Sequence, residues 1–120
     1  MPLAAAYYGA MDTIPAVPTL DYVRERRDKI LRAATTRQVG NVRIFGSVAQ
    51  GRAGASSDVD FLVDLPDSIR GFDAFGTLDD LRRDLEEILG YPVDVLTARG
   101  PFSSRGQTLA RIIADEALPL

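Results

Sequence analysis

The sequence predicts a small α/β fold, and three observations carry that reading. Two apolar runs, Val42 to Phe45 and Asp58 to Leu65, bracket a loop of small residues, and the second alternates with the period of a strand. Val93 to Thr97 is a third such run, interrupted by Asp94 as the second is by Asp60. Around them lie stretches with apolar residues at helical spacing, and strands alternating with helices make an α/β sheet. At 120 residues, with 46% hydrophobic and 26% charged, the chain is one domain with a modest core.

In chain order, residues 1–18 are rich in Ala and Pro, and Pro2, Pro15 and Pro18 prevent one continuous helix. We expect a mobile N-terminal tail over 1–18, or a short docking segment anchored by Tyr7 and Tyr8, and a domain over 19–120. Thr19 is placed to cap a helix that runs to about Arg37 and stops before Gly40. Leu20, Val23, Ile30, Leu31 and Ala34 share one of its faces, with Glu25–Lys29 and Asp28–Arg32 as i,i+4 pairs on the other. The first strand, Val42 to Phe45, leads through Gly46-Ser47 into a short helical turn over 48–50. A loop over 51–57 follows, then the second strand, closed by Pro66. Phe75, Leu78, Leu81, Leu85, Ile88 and Leu89 define an amphipathic helix that ends at Gly90 and starts near Asp73 or at the capping box Thr77 to Asp80. Arg82–Glu86 and Arg83–Glu87 are expected as surface pairs. After the third strand, a last helix from Ser103 or Ser104 should carry Leu109, Ile112 and Ile113 inward and end near Leu118-Pro119.

Composition narrows the chemistry. A net charge of −3 argues against a general nucleic-acid binder, which needs a dominant basic surface. No apolar run is long enough for a membrane span, and no basic-then-apolar leader opens the chain, so a cytoplasmic location is expected. Zero cysteines exclude disulfides and thiolate catalysis. Zero histidines remove the commonest general base and transition-metal ligand, so any metal must be held by oxygen, which suits Mg²⁺ and disfavours zinc.

Asp58 and Asp60 carry the strongest signal. Residues two apart in a strand face the same side, which sets two carboxylates together with Cα atoms roughly 6.7 Å apart, while Val59, Phe61 and Val63 face the core. Such carboxylates need a cation or several donors, and a pair suggests a hard divalent ion. Gly46 lets the backbone approach a ligand, and Ser47 can open a helical turn whose free N–H groups favour phosphate. Together these are the parts of a nucleotide-handling site. Asp64 shares the carboxylate face but lies at the far end of its strand, outside the site.

Gly46-Ser47, then Gly51, then Ser57-Asp58-Val59-Asp60-Phe61-Leu62-Val63 resembles the G-S…G…S-D-[VI]-D-[FL]-L-V motif of the DNA polymerase beta-type nucleotidyltransferases. The short chain resembles their minimal nucleotidyltransferase (MNT) group, often the antitoxin partner of a HEPN-domain toxin. The resemblance covers about residues 40–118. It implies a polymerase beta-like domain with a mixed sheet, and Asp94 as the third member of a catalytic, metal-binding set with Asp58 and Asp60. It also implies a pair of Mg²⁺ ions, ATP as donor, and Gly46, Ser47, Gly51 and Arg52 around the nucleotide. The expected acceptor is a tyrosine of a HEPN ribonuclease toxin in a hetero-oligomer, since no residues remain for an acceptor-binding domain. An antitoxin that acts by binding alone is the alternative, and a small-molecule, aminoglycoside-type transferase ranks last. One departure stands out. The group often has Arg where this chain has Gln50, which supplies no fixed charge to a triphosphate; Arg43 or Arg52 are the candidates to compensate.

Overall fold

The Thr19 hydroxyl accepts from the Tyr22 amide at 3.1 Å and caps α1 (Leu20–Glu25), as its sequence position suggests. The computed structural model describes residues 14–97, 113 and 116–120. The single helix expected as far as Arg37 is broken at Arg26, and α2 (Arg27–Thr36) follows. Arg26 leaves helical geometry (φ −103°, ψ 15°), places its guanidinium 3.6 Å from the Tyr22 ring centre and donates back to the Tyr22 carbonyl at 3.2 Å. Tyr22 itself is buried, donates to the Leu89 carbonyl at 2.7 Å and meets Tyr91 edge to face. The tail expectation falls mostly outside the described residues. Of its last five, Pro18 is buried and the Pro15 carbonyl accepts from the Tyr91 hydroxyl.

β1 (Gly40–Phe45) starts two residues before the apolar run, with an irregular register up to Arg43 and Asn41 at φ 48°. The turn α3 (Gly46–Ala49) and a loop then lead into β2 (Val59–Asp64), antiparallel to β1. α4 (Phe72–Leu89) returns the chain so that β3 (Val93–Thr97) lies parallel to β2. Of its two expected starts, the one near Asp73 is realised, on Gly71 at φ 65°. Gly90 at φ 79° ends the helix in a left-handed cap. Of the last expected helix Ile113 and Glu116 are described as helical, and Ala117 already lies outside it. Beyond them Leu118–Pro119 forms an unexpected strand, β4, antiparallel to β1. The sheet is mixed, in the order β3-β2-β1-β4, with helices packed on it.

Val59, Phe61 and Val63 are fully buried and pack with Ile44, Val93 and Val95 against Leu78, Leu81, Leu85 and Leu89 of α4. Each such side chain stabilises the fold by about 1.5–3 kcal/mol over its exposed state. Arg37 ties α2 to α4 through Asp84 at 2.6 Å. Arg82 pairs with Glu86 as expected, but Arg83 turns to Asp79 and Glu25 lies against Arg26. Among the described residues no helix is long and apolar enough to cross a membrane.

Candidate functional site

Parallel pairing of β2 and β3 sets Asp60 opposite Asp94, on strands about 4.8 Å apart, so adjacency of these two strands is realised. The pairing follows from the core. Val59 and Phe61 must face the helices, Val93 and Val95 likewise, and the aspartates between them are left on the other side. Leu62, in line with Asp60, is buried as well. Asp58 stands just before the first residue of β2 and is exposed, as is Asp94, whereas Asp60 is half-buried. No hydrogen-bond donor or cation among the described residues engages any of the three. Burial, with the neighbouring charges of Asp94 and then Asp58, pushes the Asp60 carboxyl up to about 6.

Gly46 completes this corner. At φ 75° it occupies backbone space that side-chain-bearing residues avoid, and a Cβ there would run into the Asp60 carboxylate. The motif glycine and the motif aspartate are therefore in direct apposition. Ser47 is half-buried in the first turn of α3, and its carbonyl accepts from the Arg52 amide at 2.8 Å, which folds the loop back onto the turn. Gly51, at φ 71°, makes the bend between them. α3 is only four residues long, so its early N–H groups lack helical partners but its macrodipole is slight. The turn also covers 46–49 rather than 48–50.

The two candidate cations separate cleanly. Arg43 donates to Asp64 at 2.8 Å and to the Asn41 carbonyl at 3.1 Å, and Asn41 also holds Asp64, at 2.9 Å. Arg43 is therefore committed to the end of β2 opposite Asp60, and Asp64, left out of the site on position alone, has a structural partner. Arg52 instead donates to the side-chain oxygen of Gln50. The Gln50 amide nitrogen donates in turn to Glu116 at 3.4 Å. Sequence reading passed over Glu116. It lies far along the chain, and only the return of β4 to β1 brings it near the loop.

The donor set fits a hard divalent cation, offering carboxylates, one of them half-buried and unpartnered, in a chain without histidine or cysteine. Among the described residues no three acidic side chains close on one point. The carboxylates thus offer one side of a coordination shell that water or a ligand's oxygens must complete. Among the described residues, open clefts lie elsewhere: one of about 370 Å³ where Pro18, Thr19 and Leu20 face Val48, Gln50 and Gly51, and one of about 400 Å³ between Lys29 and Glu87. Neither is lined by Asp58, Asp60 or Asp94.

Comparison with known proteins adds a family. Residues 27–120 match the model of the nucleotidyltransferase domain. A solved structure described as a minimal nucleotidyltransferase aligns with a TM-score of 0.66 and 33% identity, over 85% of this chain and 96% of that one. A crystal structure of a toxin-antitoxin with AMP-PNP aligns with a TM-score of 0.60 and 21% identity, over 77% of this chain and 69% of that one, a likeness of fold. No curated protein matches the chain.

Proposed function

Since the chain belongs to the nucleotidyltransferase domain family, with a minimal nucleotidyltransferase among its structural neighbours, we propose that it moves AMP from ATP onto a protein hydroxyl. The acceptor in this reading is a tyrosine of a cognate HEPN ribonuclease toxin, and the chain is the antitoxin of the pair. The observation that carries it is the pairing of Asp60 with Asp94 beside Gly46.

In this reading Asp58, Asp60 and Asp94 would hold Mg²⁺. When bound, the ions neutralise the negative charge that develops as pyrophosphate leaves. The missing Cβ of Gly46 lets the Asp60 carboxylate stand directly against the turn that Ser47 opens. Ser47 and the free N–H groups of its turn, with Gly51 and Arg52, hold the phosphate chain. The acceptor oxygen attacks the α-phosphorus, the bond from that phosphorus to the oxygen bridging to the β-phosphate breaks, and pyrophosphate departs. Asp94 takes the hydroxyl proton; being exposed, it can meet an acceptor that arrives from outside. A folded partner supplies the wall that holds that oxygen in line.

The test is incubation with the cognate HEPN protein, ATP and Mg²⁺, followed by intact mass measurement. The toxin should gain about 329 Da per AMP, the mass set by in-line nucleotidyl transfer. Asp58→Asn, Asp60→Asn and Asp94→Asn should each abolish the gain. One observation favours a second reading, an antitoxin that acts by binding alone: among the described residues no three carboxylates close on a single point. That reading holds if the toxin is silenced with no mass change, and the Asn variants silence it as well. A small-molecule transferase ranks behind both.

A further inference from the structure

Between Gly40 and Asp64 the sequence holds two basic residues, Arg43 and Arg52. Asp64 neutralises Arg43 at the end of β2 away from Asp60. Arg52 has a neutral partner instead: the side-chain oxygen of Gln50, with no ion pair among the described residues. An acceptor of that kind fixes a guanidinium in place without cancelling its charge. A carboxylate at the same position would fix it and cancel it. The Arg52 amide is also held by the Ser47 carbonyl at 2.8 Å, so backbone and side chain are both tied to the segment that begins at Gly46.

The orientation of the Gln50 amide is determined by its two neighbours. Arg52 has only donors to offer, so it requires the Gln50 oxygen, and the Glu116 carboxylate has only acceptors, so it requires the Gln50 nitrogen. A flipped amide would oppose both. The polarity therefore runs one way, from Arg52 through Gln50 to Glu116, and β4 anchors the far end by pairing with β1. Glu116 itself forms no ion pair with Arg52. Gln50 stands between the two, and among the described residues the cation has no acidic partner.

We propose that Gln50 is a positioning residue, holding Arg52 as the free cation that meets the β- and γ-phosphates of the bound nucleotide. This rests on the nucleotidyltransferase reading above and assigns a role to the position where that reading lacked a charge. It also accounts for a glutamine rather than an arginine: the charge is delivered from two residues further on.

Calorimetry with Mg-ATP and with AMP, on the full chain and its variants, tests it. Arg52→Ala should weaken Mg-ATP about tenfold or more, the loss of one charge-assisted contact, and leave AMP affinity unchanged. Gln50→Ala should weaken Mg-ATP severalfold in the wild-type background and not at all in the Arg52→Ala background, because it acts only through Arg52. Gln50→Glu keeps the reach but cancels the charge, so it should lose at least as much as Gln50→Ala, and added salt should restore part of that loss. Melting temperatures should stay within a few degrees throughout, which separates positioning from folding. The proposal is overturned if Gln50→Ala leaves Mg-ATP affinity intact. It is equally overturned if that substitution weakens binding as much without Arg52 as with it, or weakens AMP and Mg-ATP alike. A wild-type chain that binds no Mg-ATP overturns the nucleotide reading together with this one, whereas tight wild-type binding with indifferent Gln50 variants overturns this one alone.

Discussion

Gly46 and Asp60 can stand against each other only because one of them has no side chain. Gly46→Ala must therefore move the Asp60 carboxylate and also hold an alanine at φ 75°, a backbone cost of about 1–2 kcal/mol before any clash. Urea titration should show a loss of at least that size, with Mg-ATP binding abolished; unchanged stability would mean that Asp60 is not fixed where the sheet puts it. Asp60 makes a second, opposite prediction. Its carboxyl is raised from 3.8 to about 6, so the folded chain binds more protons than the unfolded one between those values. Stability then rises as pH falls through 6 toward 4, and the ionised form costs stability above 6. In EDTA, Asp60→Asn should be more stable than wild type at pH 8, by about 1–2 kcal/mol after solvent screening of a half-buried group, and the gap should close near pH 4. Equal stabilities at pH 8 would contradict the shift. At this scale the sequence was informative where chemistry is local. The alternation of Asp58, Val59, Asp60 and Phe61 placed the carboxylates on one face without help from the fold, but whether Arg43 or Arg52 stayed free depended on Asp64, which only the sheet brings to Arg43 and Asn41.

Among elements, legibility followed how much of the signal was carried by neighbours in sequence. α4 ends at Gly90 as its pattern says, because a left-handed cap is a property of one residue. The break at Arg26 was invisible, since a run of good helix formers hides a guanidinium that turns back onto Tyr22. β4 was invisible for a different reason: two residues carry no period, and they become a strand only on meeting Arg43 and Ile44. Gly90→Ala measures how far the helix end depends on backbone alone. The added Cβ would come 3.0 Å from Cδ1 of Ile14, the end of a flexible side chain, so the strain at φ 79° dominates. We expect a loss of about 1 kcal/mol, several degrees in melting temperature for a domain of this size, with Mg-ATP affinity unchanged. A loss of affinity would mean that this helix end also sets the position of Asp94, four residues further on.

Across the whole molecule the polar end of the sheet is an open face. Asp58 and Asp94 are exposed, and among the described residues no three carboxylates close on a point. The half-buried charge of Asp60, with Asp94 and Asp58 near it and no donor among the described residues, works against the fold until a cation arrives, and a phosphate chain has no reason to approach it until one does. Metal and nucleotide should therefore bind as a unit, each weak without the other. Linkage turns that into a property of the entire domain, because a ligand that binds only the folded state stabilises it by about 2.7 kcal/mol at a hundred times its dissociation constant. For a chain this short that corresponds to a rise in melting temperature on the order of 10 °C. Differential scanning fluorimetry should show such a rise with ATP and Mg²⁺ together, and little with ATP in EDTA. Mg²⁺ alone should give a small rise, since it relieves the repulsion at Asp60 but lacks the phosphate oxygens that would hold it there. Asp60→Asn should raise the starting temperature while flattening the response to both ligands, a crossing of curves that loss of folding could not produce. If ATP in EDTA stabilises the wild type as much as ATP with Mg²⁺, the carboxylates are not the metal site, and the role given to Asp58, Asp60 and Asp94 falls while the fold and the family remain.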